Sequence, residues 1–257
     1  MYLVNFLTSF NGGALWLIFM AFARFLGAMS ISPLFSSSFL SLLLRASLSL
    51  MLACLVYPSS QSLLLGDNYL GNVLLVASNY VYGCMLGYFI SFPIWLIESS
   101  VNLIDMQRGE QIGAIVNQLT NNPASSIAKM LTKGFITYLV INGGLLFFLD
   151  IIFKSFSVIP LNNLIPLLDA NHIQQYIKFI VDYFYWVVVL ALPMIVAMFL
   201  IDIVLGLISS FIPQMNVTVI SMPIKSSGAL ILLSIYIGSF FHNVFIKFIP
   251  NFKALLL

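Results

Sequence analysis

Long stretches of this 257-residue chain carry no charge: positions 25–44, 46–66, 68–97, 183–201, 203–224 and 226–246, among others, hold no Asp, Glu, Lys or Arg. A helix crosses a bilayer with roughly 17–25 mostly apolar residues, so each stretch suits a crossing. The whole chain is 61% hydrophobic and 7% charged, against about 25% charged in soluble globular domains. A water-facing surface cannot be assembled from that inventory. The sequence therefore predicts an integral membrane protein, organised as one helical membrane domain over residues 1–257.

Backbone amides and carbonyls in lipid must be satisfied within the chain, so the apolar runs are expected to be helices. Runs such as LLLRASLSLMLACLV are apolar on every face and lack the alternation of a barrel strand. Helices are predicted near 14–32, 40–57, 69–97, 130–153, 174–210 and 226–248. Pro33, Pro58, Pro123, Pro160, Pro166, Pro213, Pro223 and Pro250 are expected to mark breaks or kinks, since proline removes a helix donor and crowds the preceding turn. The N-terminus shows neither a positive leader nor a small-residue cleavage site, so the first apolar segment is expected to be retained. If the spans alternate, Arg45, Arg108, Lys129, Lys133 and Lys225 fall on one side and Lys154, Lys178, Lys247 and Lys253 on the other. Five against four does not orient the chain by the positive-inside rule.

One stretch is polar: ESSVNLIDMQRGEQIGAIVNQLTNNPASSIAK, residues 98–129. It contains both glutamates and a cluster of Asn, Gln and Ser. A solvated connector between helices explains it simply. A loop folded into a protein-lined path is the sharper alternative, because irregular backbone at membrane depth survives only there.

Enzyme chemistry finds little support. His172 and His242 are the only histidines and lie far apart, and HExxH, CxxC, P-loop and GxSxG patterns are missing. Cys54 and Cys84 lie inside apolar runs, where a free cysteine acts as a small hydrophobe. No cofactor, metal or catalytic residue is predicted, and scattered single cations give no nucleic-acid patch.

Two charges interrupt the apolar runs, Arg24 in WLIFMAFARFLGAMSISP and Asp202 in MFLIDIVLGL. An isolated charge at the bilayer centre costs at least ~2.5–3.5 kcal/mol, so each must face protein or a watery conduit. Helix 174–210 exceeds one crossing; Pro193 and Pro213 are expected to bend or end it, and Gly206 to admit another backbone. Gln214 and Asn216 are expected to hold a turn beside Pro213, their amides bonding backbone groups freed at the helix break.

The stretch ALPMIVAMFLIDIVLGLISSFIPQMNVTVISMPIK carries a resemblance. Its Leu192-Pro193, Asp202, Leu205-Gly206-Leu207, Pro213-Gln214-Met215-Asn216-Val217 and Pro223–Lys225 corner resemble the SctT family of type III secretion export-apparatus proteins, whose flagellar counterpart is FliR. Arg24 with Ser32-Pro33-Leu34-Phe35, Arg45 leading to Pro58, Asp105-Met106-Gln107-Arg108-Gly109, Asn142-Gly143-Gly144, Ser155-Phe156 and Pro160 are similar to the same family in order. The chain departs at Ser210, where many relatives carry arginine, and in lacking a proline shortly before Arg45. MQRGEQIG and SMPIKS are closer to the injectisome branch than to the flagellar one.

The resemblance implies an all-α membrane fold of helical hairpins with long kinked helices, packed into a larger export-gate assembly. It implies a subunit of the bacterial inner membrane that sits with SctR-like and SctS-like subunits, is joined by SctU-like and SctV-like components, and surrounds a path for unfolded secreted proteins. Part of such an assembly stands outside the bilayer plane on the periplasmic side. The family's plug loop maps to about Asp105–Asn122, including Gln107, Arg108, Gly109 and Glu110. The competing reading is a self-sufficient transporter or channel for a small solute, which would want paired discontinuous segments in two halves. No such pairing is visible.

Overall fold

The structure is a computed structural model that describes residues 12–36, 40–60, 69–109, 126–162, 170–212 and 217–256. Among these residues every regular element is helical. In chain order they are α1 (Gly12–Ile31), a 3-10 turn (Pro33–Phe35), α2 (Leu42–Ser60), α3 (Tyr69–Arg108), α4 (Ser126–Ile141), α5 (Gly144–Val158), α6 (Ala170–Phe211) and α7 (Val217–Leu256). Among the described residues three helices are long and apolar enough to cross a membrane, within α3, α6 and α7; the broken pair α4–α5 makes up to a fourth.

The elements follow from local chemistry. Pro33 opens the 3-10 turn, where its missing N–H costs nothing. Asn142 and Gly143 split the predicted helix 130–153: Gly143 takes φ 80°, a left-handed conformation that ends one helix and starts the next. No atom lies within 4 Å of a Cβ placed there, so Gly143→Ala tests backbone strain alone. It should cost about 1 kcal/mol, read as a lowered thermal midpoint of the purified protein.

Several prolines do not break their helices. Pro93 and Pro193 lie inside α3 and α6, and Pro58, Pro223 and Pro250 lie within the spans of α2 and α7. None of them ends its helix. A membrane helix tolerates the lost bond because neighbouring helices and hydroxyl groups re-satisfy the freed carbonyl. Pro33 and Pro160 do sit at element ends, whereas Pro123, Pro166 and Pro213 lie outside the described residues.

The chain divides into two compact units, with the boundary in α3 falling at Pro93. The first draws on Met1–Phe92 and Gly143–Gln174, with the last residues Phe252–Leu257; the second on Pro93–Asn142 and Gln175–Asn251. In the first unit α1 packs along α2. Its core joins Met20, Phe25 and Ala28 of α1 to Leu86 of α3 and to Phe148 and Ile152 of α5. Aromatic edges lock it, with Phe25 5.4 Å from Phe153 and Phe35 5.2 Å from Phe148 between ring centres.

In the second unit Ile104 of α3 packs with Ala191, Met194 and Met198 of α6 and Ala229 of α7. Phe135 of α4 meets Phe241 of α7 at 5.3 Å, and Tyr138 stands edge-on to Phe245 at 5.9 Å. Polar threads run through this apolar packing. The Ser99 and Tyr183 hydroxyls lie 2.8 Å apart, and Ser100 donates to the Val187 carbonyl at 3.2 Å. Outward faces remain apolar: Leu43 on α2 is 82% exposed and Phe211 on α6 84%. Such faces are built for lipid or for other protein, not water.

Candidate functional site

The polar segment begins as helix. Where the sequence suggests a loop from residue 98, α3 continues to Arg108. Val101 and Ile104, three apart, turn inward and are buried, and Ser100 returns its hydroxyl to the Leu96 carbonyl at 2.7 Å. Polar side chains that bond their own helix add little cost to it. At the helix end Arg108 Nε donates to Asp105 Oδ1 at 3.0 Å, and Nη2 donates to the same oxygen, in a buried pair. Gly109 follows with φ 82°, its N–H bonded to the Met106 carbonyl at 3.1 Å. It closes α3 as a left-handed terminal glycine does. Gln107 is half-buried on the same turn. Glu110 and the positions up to Asn122 lie outside the described residues.

Arg24 is 1% exposed in the first unit and meets neutral acceptors. Its Nε and Nη2 donate to Asn79 Oδ1 at 3.1 and 2.5 Å. Nη1 donates to the backbone carbonyls of Ser155 at 3.1 Å and Ile159 at 3.0 Å, with Ser155 Oγ at 3.4 Å. The guanidinium also lies over the rings of Phe156 and Tyr82, 4.5 and 4.9 Å from their centres. Asn79 completes the arrangement by donating to the Leu75 and Leu161 carbonyls at 2.8 and 2.9 Å. A planar five-donor fork suits this spread of acceptors in a way that an ammonium does not.

Asp202 is paired as well. Its Oδ1 lies 2.5 Å from Lys225 Nζ, linking α6 to α7 in the second unit. The two side chains keep 33% and 12% of their surface, so the pair is only partly covered by this chain. Lys225, placed by sequence in a corner with Pro223, instead stands inside α7. Gly206, one turn beyond Asp202, has no atom within 4 Å of a Cβ built on it. Pro193 is carried inside α6. Pro213, Gln214 and Asn216 lie outside the described residues, between the end of α6 at Phe211 and the start of α7 at Val217.

Sequence reasoning missed the close crossing of α1 and α3. A Cβ on Gly83 would fall 2.8 and 2.9 Å from the Arg24 carbonyl carbon and Cα. One on Gly87 would meet the same atoms of Ala28 at 2.9 and 2.8 Å, and one on Gly27 the Cys84 nitrogen at 3.0 Å. Gly83 and Gly87 form the G-x-x-x-G spacing that lets helix backbones touch in membranes, so the signal was present in the letters. Asn79 was missed too; it is one of three asparagines in the uncharged run 68–97, of which Asn72 and Asn79 are buried. Among the described residues no group of three His, Cys, Asp or Glu could hold a metal ion.

Long apolar helices, backbone-close crossings and paired interior charges define a multi-pass helical membrane protein whose polar residues hold helices together. The chain belongs to the bacterial export proteins, family 1, which match residues 15–249. It is 32% identical over 220 residues to the Yop proteins translocation protein T of Yersinia pestis, covering 83% of this chain and 82% of that protein. It is 28% identical over 218 residues to the surface presentation of antigens protein SpaR of Salmonella typhimurium, covering 84% and 81%. Flagellar biosynthetic protein FliR of Bacillus subtilis is 26% identical over 203 residues, 76% of each chain.

Proposed function

We propose that this chain is a structural, non-enzymatic subunit of a type III protein-export gate in the bacterial inner membrane. The observation that carries the proposal is the family match across residues 15–249, with relatives named for translocation, secretion and flagellar biosynthesis. The surface supports it: α2 and α6 carry large exposed apolar side chains along their length, as helices meant to be covered do. SctR-like and SctS-like subunits are the proposed neighbours, with SctU-like and SctV-like components adjoining and unfolded secreted proteins passing through. The segment Asp105–Asn122 is the proposed plug, anchored at the buried Asp105–Arg108 pair and the Gly109 turn.

A deletion of residues 111–120 that spares Asp105–Gly109 tests the plug. The gate should still assemble, and cells carrying it without an active needle should leak ions, measured as conductance or small-solute uptake. An assembled but tight gate makes the segment a connector only. Purification separates the wider readings. An export subunit should come out stably with its neighbours, whereas a self-sufficient solute transporter should be stable and active alone.

A further inference from the structure

Arg24 is the largest polar side chain fully enclosed by this chain, and the groups around it are oddly chosen. Its hydrogen-bond acceptors among the described residues are neutral: one amide oxygen of α3, one serine hydroxyl, and two backbone carbonyls where α5 ends. The Ile159 carbonyl is one that a helix terminus leaves without an intrahelical partner, while the Ser155 carbonyl also accepts the Ile159 N–H at 2.9 Å. The last turn of α5 carries no basic residue of its own. The negative end of the α5 dipole therefore takes its cation from α1, more than 130 residues earlier in the chain. Asn79 braces the same place from α3 by donating to the Leu161 carbonyl.

We propose that Arg24 is a latch for the exit of α5. It holds the turn Ser155–Leu161 through backbone carbonyls, and when its bonds are lost this segment opens while the rest of the first unit stays packed. Upstream of the latch α5 is held differently, by Phe148 against Phe35 and Phe153 against Phe25, contacts that do not use the guanidinium. The bonds to Arg24 and Asn79 are concentrated at the last turn and the residues just after it. Beyond them the chain runs on to α6, most of which belongs to the second unit.

The test is thiol labelling of the full-length chain in native membranes, with Cys54 and Cys84 changed to alanine. A reporter cysteine replaces Leu161, which is 1% exposed, and in a second chain Ala53 of α2, which is 0% exposed. Both reporters should be protected with Arg24 present. In Arg24→Met, labelling at position 161 should rise about tenfold or more, since charge-assisted hydrogen bonds are lost, while position 53 stays protected. Arg24→Lys keeps the charge, but one ammonium cannot span Asn79 and both carbonyls, so its labelling at 161 should be intermediate. Protection of 161 in both variants overturns the latch. So does equal labelling at 161 and 53, which would make Arg24 a support of the whole unit. If Arg24→Met does not accumulate, Arg24→Lys decides alone, and full protection at 161 in that variant overturns the proposal.

Discussion

Gly83→Leu is expected to leave almost no folded protein, and Gly83→Ala to be clearly damaging. The obstacle is backbone: a Cβ at Gly83 would press on the Arg24 carbonyl group and Cα, which cannot rotate aside as a side-chain tip can. Overpacking a core costs about 1–3 kcal/mol and sometimes more; here relief requires α1 and α3 to separate as whole helices. Separation would also pull Arg24 from Asn79, whose short bonds span the same crossing. Gly238→Ala is the matched control, because a Cβ there meets nothing within 4 Å. Yield of monodisperse protein after detergent extraction, with the thermal midpoint of each variant, measures the difference. Equal behaviour of Gly83→Ala and Gly238→Ala would mean that α1 and α3 do not cross this closely.

The helical class and most element positions are legible because uncharged runs of membrane length have one way to satisfy their backbone. The errors arise where two signals compete. Residues 130–153 read as one helix because both sides of Asn142-Gly143 are apolar, and hydropathy does not register a left-handed glycine. Polarity pointed to a loop from residue 98, yet Ser99, Ser100 and Asp105 each find a partner in or beside a continuing helix. Prolines overstate breaks for the same reason: Pro58, Pro223 and Pro250 each forfeit one bond within a helix, and the helix continues.

Charges show a different limit. The letters say that Arg24 needs compensation, but what compensates it is mainly carbonyl oxygen, which every residue has. Only Asn79 among its hydrogen-bond partners has a side chain that stands out in an apolar run. Asp202 was easier in principle, since the whole chain holds only ten cations and Lys225 is one of them. The expectation of a corner at Pro223 hid it.

Asp202→Leu is expected to cripple secretion and gate assembly, and the loss should be larger than that of Asp202→Asn. Removing one partner of a fully buried ion pair costs about 3–5 kcal/mol, because the survivor stays charged in a poor solvent. The Asp202 side chain keeps a third of its surface and Lys225 an eighth, so about 2 kcal/mol is the fitting scale once solvent screening is allowed for. Asparagine retains an oxygen acceptor for the Lys225 ammonium, which limits the damage. Lys225→Met alone should also harm, by leaving the partly covered Asp202 carboxylate without its partner. The double variant Asp202→Leu with Lys225→Met removes both charges and should recover most of the lost assembly if their value lies in each other. Failure of the double variant to recover would show that Asp202 also serves a group outside this chain, consistent with its exposed third and the open surface at Gly206. Wild-type assembly and secretion in Asp202→Leu would remove the pair from any role in either. The cycle of four proteins, scored by recovered complex and by secreted substrate, thus separates a bond within the chain from a contact made beyond it.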